Sequence, residues 1–541
     1  MSKSTPHISN ESSTDAPAGP WSPMRKSIFR SLWIATVVSN IATWMHNVGA
    51  AWLMTSLAPS PFMVSLVQAA TSFPLFVLAI PSGALADVFD RRRLLLITQG
   101  WMLVAAAGLA VLAAFGQVSP MLLLIFTMAL GIGAAFNAPA WQAIVPELVT
   151  REEIPAAVTL NSAGFNVSRA VGPALGGLIV AVAGAQATFG LNAVSFVGVL
   201  IVLYRWHREK SPSALPPEHL FGAMVAGLRY ARHAPGFRNV LWRLLLFVFP
   251  ASALWALLPL VARQELGMGA SGYGVLLGAV GVGAVIGAYL FPILRKKLSV
   301  DLYTSIATIS YSLALLALAM SRSLPLLLLA MLLAGAAWLI MLSSLNVAAQ
   351  SVAASWVRAR ALSVYLIFFF GSMALGSLAW GALASAVTMP PAIAVSGCAA
   401  VLAIVANKRL TLTSAEGLDL SPSLHWPAPD LHRPLEGDSG PAMITVEYNI
   451  DPSRAQDFRH VMHHLRSSRL RDGAMQWNLF QDSSVPGRYL ECFLVGSWLE
   501  HLRQHERVTA TDRALQDRVR AFQRDATDPV VSHFVAERTD A

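Results

Sequence analysis

Charge is scarce in this chain. Of its 541 residues only 13% are Asp, Glu, Lys or Arg, against about 25% in a soluble globular domain. That shortage excludes a protein that mostly faces water. Cysteine is scarcer still. Of the two present, Cys398 sits in an apolar run and Cys492 in a polar segment, surroundings too different for a disulfide or a metal pair. Redox chemistry therefore has no support, and no cofactor is called for. An apolar opening is also missing: the residues through Trp21 are polar and rich in Ser and Pro. They lack the core of a cleavable signal peptide, and residues 1–28 are expected to form a disordered cytoplasmic tail.

What the chain has instead is apolar length, with 55% hydrophobic residues and a mean hydropathy of +0.55. Runs of spanning length, about 20 residues each, fall at 29–55, 61–85, 93–116, 120–145, 155–182, 187–205, 239–263, 271–294, 301–321, 325–353, 361–387 and 390–407. The expected fold is an all-α polytopic membrane protein of twelve transmembrane helices in two six-helix repeats, 29–205 and 239–407, with a small α+β domain appended. A net charge of +9 would suggest nucleic acid in a soluble protein. Here the basic residues lie in short segments beside apolar runs, so the partner is the lipid bilayer and not nucleic acid. Arg25, Lys26, Arg30, Arg91 to Arg93, Arg151, the cluster from Arg205 to Arg243, Arg295 to Lys297, Arg358, Arg360, Lys408 and Arg409 share one side. Only Arg263 and Arg322 fall on the other. With an even number of spans, that bias places both termini in the cytoplasm.

The segment 206–238 is expected to be a central cytoplasmic loop, with an amphipathic piece around His219 to Arg232. The halves on either side repeat at a nearly constant offset. Gly83 corresponds to Gly287, Gly133-Ala134-Ala135-Phe136 to Gly335-Ala336-Ala337-Trp338, Gly172 to Gly376 and Gly177 to Gly381. A parallel repeat predicts a substrate cavity between two bundles that rock against each other.

Polar residues inside spans are expensive and should face the interior. Ser39, Asn40, Thr43, His46 and Asn47 fall on one wedge of the first span. His46 is the one histidine in a predicted span, a candidate for proton coupling or a residue hydrogen-bonded between helices. In the fifth span Ser162, Asn166, Arg169 and Pro173 share a face. Arg169 either holds an anionic group of a substrate or pairs with backbone carbonyls where the halves meet. Asn137, Trp141 and Gln142 of the fourth span and Ser343, Asn346 and Gln350 of the tenth complete the candidate substrate contacts, Trp141 being the first choice among the aromatics. No span carries a confident buried Asp or Glu to move protons.

Two motifs mark gating segments. Gly83-Ala-Leu-Ala-Asp87-Val-Phe-Asp-Arg91-Arg92-Arg93 reads as a cytoplasmic loop between the second and third spans, its small residues letting a helix end approach a neighbour. It resembles the G-x-L-x-D-x-x-x-R-[RK] loop of the major facilitator superfamily, where it latches two helices in one access state, with Asp90 standing where that family has Gly. Ser168-x-x-x-Gly172-Pro173-x-x-Gly176-Gly177 resembles the fifth-helix motif of proton-coupled exporters of that superfamily, with Ser for the first Gly. Its glycines permit close helix contact and its proline loosens the backbone.

After a linker, 408–441, the pattern turns soluble: strands at 443–450, 475–482, 489–496 and 530–535, with helices at 452–469 and 498–523. This β-α-β-β-α-β order predicts a ferredoxin-like cytoplasmic domain over 442–541. The domain resembles the small dimeric barrels of antibiotic-biosynthesis monooxygenases, which implies a homodimer contact or a regulatory module. His460, His463, His464, His501 and His505 read as surface histidines of solvated helices, not as metal ligands.

Together these features resemble the enterobactin-exporter-like branch of the major facilitator superfamily, the transmembrane secretion effectors. That resemblance implies a bacterial inner-membrane carrier, not an enzyme, that exports a siderophore-like or drug-like small molecule by proton-coupled alternating access. Broad multidrug efflux is one alternative. A membrane-tethered protein whose tail is a monooxygenase-like enzyme is another.

Overall fold

The computed structural model describes residues 19–206, 220–354, 356–412, 419–423, 425–427, 439–524 and 528–537, and the side chains at 80, 84, 86–88, 151 and 220–224 lie outside that description. Six long helices come first: α1 (Ser27–Leu57), α2 (Pro61–Val88), α3 (Arg91–Ala114), α4 (Pro120–Leu148), α5 (Ile154–Ala183) and α6 (Ala185–Arg205). The short amphipathic α7 (Leu220–His233) follows. A second six comprises α8 (Pro235–Leu260), α9 (Ala270–Lys297), α10 (Val300–Met320), α11 (Leu324–Ser351), α12 (Arg358–Val387) and α13 (Met389–Asn407). Proline stands in the first turn of α2, α4, α5, α8, α11 and α13, where its missing N–H has no partner to lose. Residues 22–25, expected in a disordered tail, form a single 3-10 turn before α1.

Eleven of the described helices are long and apolar enough to cross a membrane. α1 is absent from that set although its 31 residues reach about 46 Å at 1.5 Å per residue. The wedge from Ser39 to Asn47 lowers its hydropathy, and its contacts with α5 and α6 turn that wedge inward. The up-and-down order puts the start of α1, the ends of α6 and α13 and the start of α8 on one face, called here the terminal face.

The halves meet at two glycine crossings related by the repeat. A Cβ at Gly177 of α5 would lie 2.6 Å from Cα of Gly274 and 2.7 Å from the carbonyl oxygen of Ala270 on α9. A Cβ at Gly381 of α12 would lie 2.6 Å from Cβ of Ser65 on α2. The earlier glycine of each pair packs inside its own half: Gly172 against Trp44 of α1, and Gly376 against Phe249 of α8. One sequence repeat thus builds both seams. At the face opposite the termini, Arg263 reaches from the second half to the hydroxyls of Thr55 and Ser56 at the end of α1.

Beyond the bundle, β1 (Ala442–Asn449), α14 (Ala455–Asp472), β2 (Gln476–Gln481), β3 (Arg488–Val495), α15 (Trp498–Arg507), α16 (Ala510–Arg520) and β4 (Val530–Val535) form the tail domain. Its four-stranded sheet has the order β2-β3-β1-β4, with every pair antiparallel. The predicted helix 498–523 is broken at Val508, because Thr509 and Asp512 form a capping box that starts a new helix. Along β1, Ala442, Ile444, Val446 and Tyr448 point inward onto α14 and its core residues Phe458, Met462 and Leu465.

Gly177→Ala is expected to lower the melting temperature of the purified protein by an amount equivalent to about 1–3 kcal/mol of overpacking. Gly190→Ala, where an added Cβ meets nothing within 4 Å, is the control and should leave it unchanged.

Candidate functional site

The polar wedge of α1 does not face lipid. Ser39, Asn40, Thr43, His46 and Asn47 line a cavity of about 430 Å³, within the size range of small-molecule sites. Every helix of the first half contributes: Thr71 from α2, Gln99 from α3, Asn137, Trp141 and Gln142 from α4, Asn161 from α5 and Asn192 from α6. The amides are partly spent on each other. Asn137 Oδ1 accepts from Thr98 Oγ1 at 3.3 Å and from Gln99 Nε2 at 3.2 Å, and Thr43 Oγ1 donates to Asn192 Oδ1 at 3.2 Å.

Two groups in the lining are left over. His46 is 2% exposed, and neither of its ring nitrogens bonds a described residue, while the ring lies 4.6 Å from that of Phe189. Gln99 is 5% exposed, with Oε1 likewise unpartnered. Buried polar atoms are rarely left so. These atoms lie within the cavity wall, closed to a water-sized molecule.

The structure therefore brings Asn40, His46, Asn47, Asn137 and Trp141 to one cavity. Asn166, Arg169 and Asn346 are not among its lining residues. Asn166 donates to Ser162 O on its own helix at 2.9 Å, and Asn346 accepts from Gln350 at 2.5 Å. Arg169 faces across the seam, its guanidinium 5.7 Å from the ring centroid of Trp255 on α8, and its Nε and Nη2 bond no described residue.

This cavity lies inside the first half, whereas the repeat predicts a substrate cavity between the halves. Along α5–α9 and α2–α12 the halves touch at the glycine crossings. The corresponding interior of the second half is filled by Phe247, Trp255, Tyr311 and Trp338, with ring centroids 5.4–6.1 Å apart. Gln99 and Asn192 went unnoticed in the sequence, although each is a polar residue in an apolar run and the interior-facing rule applies to both.

The gating motifs divide. Gly83 and Asp87 belong to the last turns of α2, so the loop shrinks to Phe89 and Asp90. A Cβ at Gly83 would meet nothing within 4 Å; close approach to a neighbour is not what this glycine provides. The side chain of Asp87 lies outside the described residues. Asp90 accepts from Arg93 N at 2.9 Å and caps α3 with φ −59°, so the position needs no glycine. Arg91 bonds Ala143 O at 3.1 Å and Glu147 at 2.8 Å on α4. Arg92 bonds Leu203 O at 2.9 Å and Tyr204 O at 2.6 Å at the end of α6, where helix carbonyls lack partners. In the fifth-helix motif Gly172 and Gly176 close on α1, Gly177 closes on α9, and Pro173 O lies at the same α9 crossing.

The tail is tied to the second half by charge. Glu500 of α15 accepts from Arg229 of α7 at 3.0 Å and from Arg507 at 2.6 Å. Arg507 also covers the ring of Trp356, in the connection from α11 to α12, at 4.6 Å. Tyr230 holds that connection from the other side by donating to Val352 O at 2.6 Å. His460, His463 and His464 are exposed, as read from the sequence. His501 is not: it is 1% exposed and packs against His533 of β4 and Trp498, because its helix turns that face onto the sheet. Burial and the neighbouring His505 and His533 push its pKa down to about 3.

A dozen long helices in two like halves, the first of them enclosing a polar cavity, is the architecture of a secondary membrane transporter. A family model described as transmembrane secretion effector matches residues 18–540, and the chain belongs to that family. It is 24% identical over 277 residues to the staphyloferrin A transporter of Staphylococcus aureus, covering 51% of this chain and 70% of that protein. It is 30% identical over 270 residues to the enterobactin exporter of Shigella boydii, covering 48% of this chain and 62% of the relative; the match thus spans less than two thirds of that exporter. Among solved structures, a bacterial homolog to the human lysosomal transporter Spinster, inward-facing and unoccupied, superposes with a TM-score of 0.56 at 14% identity, over 72% of this chain and 95% of that one. At that identity the likeness concerns the fold.

The clamp at Glu500 predicts a pH dependence. Burial opposes its charge, but Arg507 and Arg229 outweigh burial and hold the carboxyl below its ordinary range. A carboxylate held low stabilises docking above the ordinary range and loses that contribution only as pH falls through the depressed value. Protection of α7 from hydrogen exchange should therefore persist at neutral pH and fade only in more acidic solution. Glu500→Gln should weaken it at neutral pH by about 1.5–3 kcal/mol, the worth of hydrogen bonds to a charged group.

Proposed function

We propose that the chain is a secondary transporter exporting a small organic molecule, siderophore-like or drug-like, across the bacterial cytoplasmic membrane by proton-coupled alternating access. The observation that carries this reading is the polar cavity inside an otherwise apolar bundle: amides and hydroxyls inside a membrane domain are costly unless something polar uses them. The printed names of the relatives, an exporter of enterobactin and a transporter of staphyloferrin A, favour a siderophore-like cargo.

In this reading Asn40, Asn47, Asn137 and Trp141 contact the cargo and His46 takes up and releases the coupling proton. Arg169, stacked on Trp255 across the seam, acts on the movement of the halves, with Asn166 and Asn346 beside the path that this movement opens. Gly177, with Pro173 beside it, forms the sliding seam on α9, Gly172 and Gly176 hold α5 to α1, and Arg91 and Arg92 brace the terminal face beside the turn that carries Gly83 and Asp87. Lys and Arg cluster on that face, which we place in the cytoplasm. The tail is not assigned catalysis. The outer face of its sheet exposes Phe480, Leu490, Val530 and Phe534, a surface suited to a second copy of the tail.

The test is uptake into inside-out vesicles under an imposed proton gradient, with catecholate siderophores and lipophilic cations as cargo. Gradient-driven accumulation of the siderophores is expected. Cations alone would move the reading to multidrug efflux, and no uptake of either would overturn it. His46→Gln should cut gradient-driven accumulation by about tenfold or more, the equivalent of 1.4 kcal/mol on the driven step, while leaving counterflow exchange intact. Arg169→Gln should slow the turnover with little change in the half-saturating concentration; an equal rise in that concentration would instead put Arg169 in contact with the cargo.

A further inference from the structure

We infer that the cavity of the first half takes its ligand uncharged, as a ring-bearing molecule that carries hydroxyl or amide groups. This rests on the reading that the cavity is the site of the transported molecule, and it narrows that molecule's chemistry. None of the described side chains lining the cavity is Lys, Arg, Asp or Glu. An ion in such a place would exchange its hydration for dipoles alone, which strongly disfavours it. Among basic side chains close to it in the chain, Arg30 bonds Met24 O, Arg91 and Arg92 hold the ends of α4 and α6, and Arg169 faces Trp255.

What the lining does offer is a set of neutral donors and acceptors. Asn40, Asn47, Gln142 and Asn161 line the cavity without being buried, and each amide brings both N–H donors and a carbonyl acceptor. A hydroxyl or primary amide can satisfy both kinds at once, whereas a carboxylate offers only acceptors and leaves the amide oxygens unmet. Trp33, Trp141, Phe165 and Phe196 supply the apolar and aromatic part of the wall, which suits a planar body between the polar ends. The alternative is a protonated His46 that pairs with an anion, and it makes the opposite prediction about charge.

Three fluorescent probes on one skeleton separate the two: a hydroxynaphthamide, the corresponding hydroxynaphthoate and the corresponding aminomethylnaphthol. Each is titrated at neutral pH onto the full-length protein in lipid nanodiscs. The amide is expected to bind about tenfold or more tightly than either ion. Asn47→Leu should weaken the amide, and Asn47→Asp should admit the aminomethyl cation, a gain that a misfolded variant cannot produce. Binding of the naphthoate as tight as the amide, or no binding of the amide, overturns the inference. If the reconstituted protein binds the amide with this preference yet exports none of the three, the transport reading fails and the ligand class stands.

Discussion

Backbone contact between the halves is the constraint on which the rest of the bundle depends. In lipid there is no hydrophobic force to press helices together, so close packing of small residues has to supply the attraction. Gly177 with Gly274 and Gly381 with Ser65 provide it at two symmetric places, with no room for a methyl group at either.

The polar cavity lies in the first half. The second half fills its interior with Phe247, Tyr311 and Trp338, and α8, the helix at its centre, is buried along most of its length. The first half places Asn, Gln, Thr and His at matching depth. The repeat is therefore a repeat of helix contacts and not of lining chemistry. One half offers the polar surface, and the other a firm aromatic body against which it is set.

The tail belongs mechanically to the second half. An ion pair runs to α7 and an arginine–tryptophan contact to the turn between α11 and α12, both on the terminal face. Inside the tail, Glu491 is wholly buried and accepts from Arg469, Tyr448 and Trp477, each at 2.9 Å, so its charge is compensated from three sides. Buried charges of that kind require all their partners at once, and they make the tail a single rigid body that can report on, or resist, movement of the turn it grips.

Much of this was legible in the chain itself. Apolar length and proline placement determine the twelve long helices, and period-two alternation determines the four strands, because both depend on neighbours only a few residues apart. The glycine correspondences marked the repeat, and the structure uses one pair of them, Gly177 and Gly381, where the halves touch. The wedge of α1 and the face of Asn137 and Trp141 were likewise readable as inward. What only the tertiary structure decided is which interior each wedge meets. Arg169 and Asn40 look alike as polar residues in apolar spans, yet Asn40 lines the cavity and Arg169 faces Trp255 across the seam. The burial of His501 against β4 and the grip of Glu500 on Arg229, 271 residues away, are of the same kind. Such outcomes depend on how distant helices fill a shared volume, and local pattern carries no record of that volume.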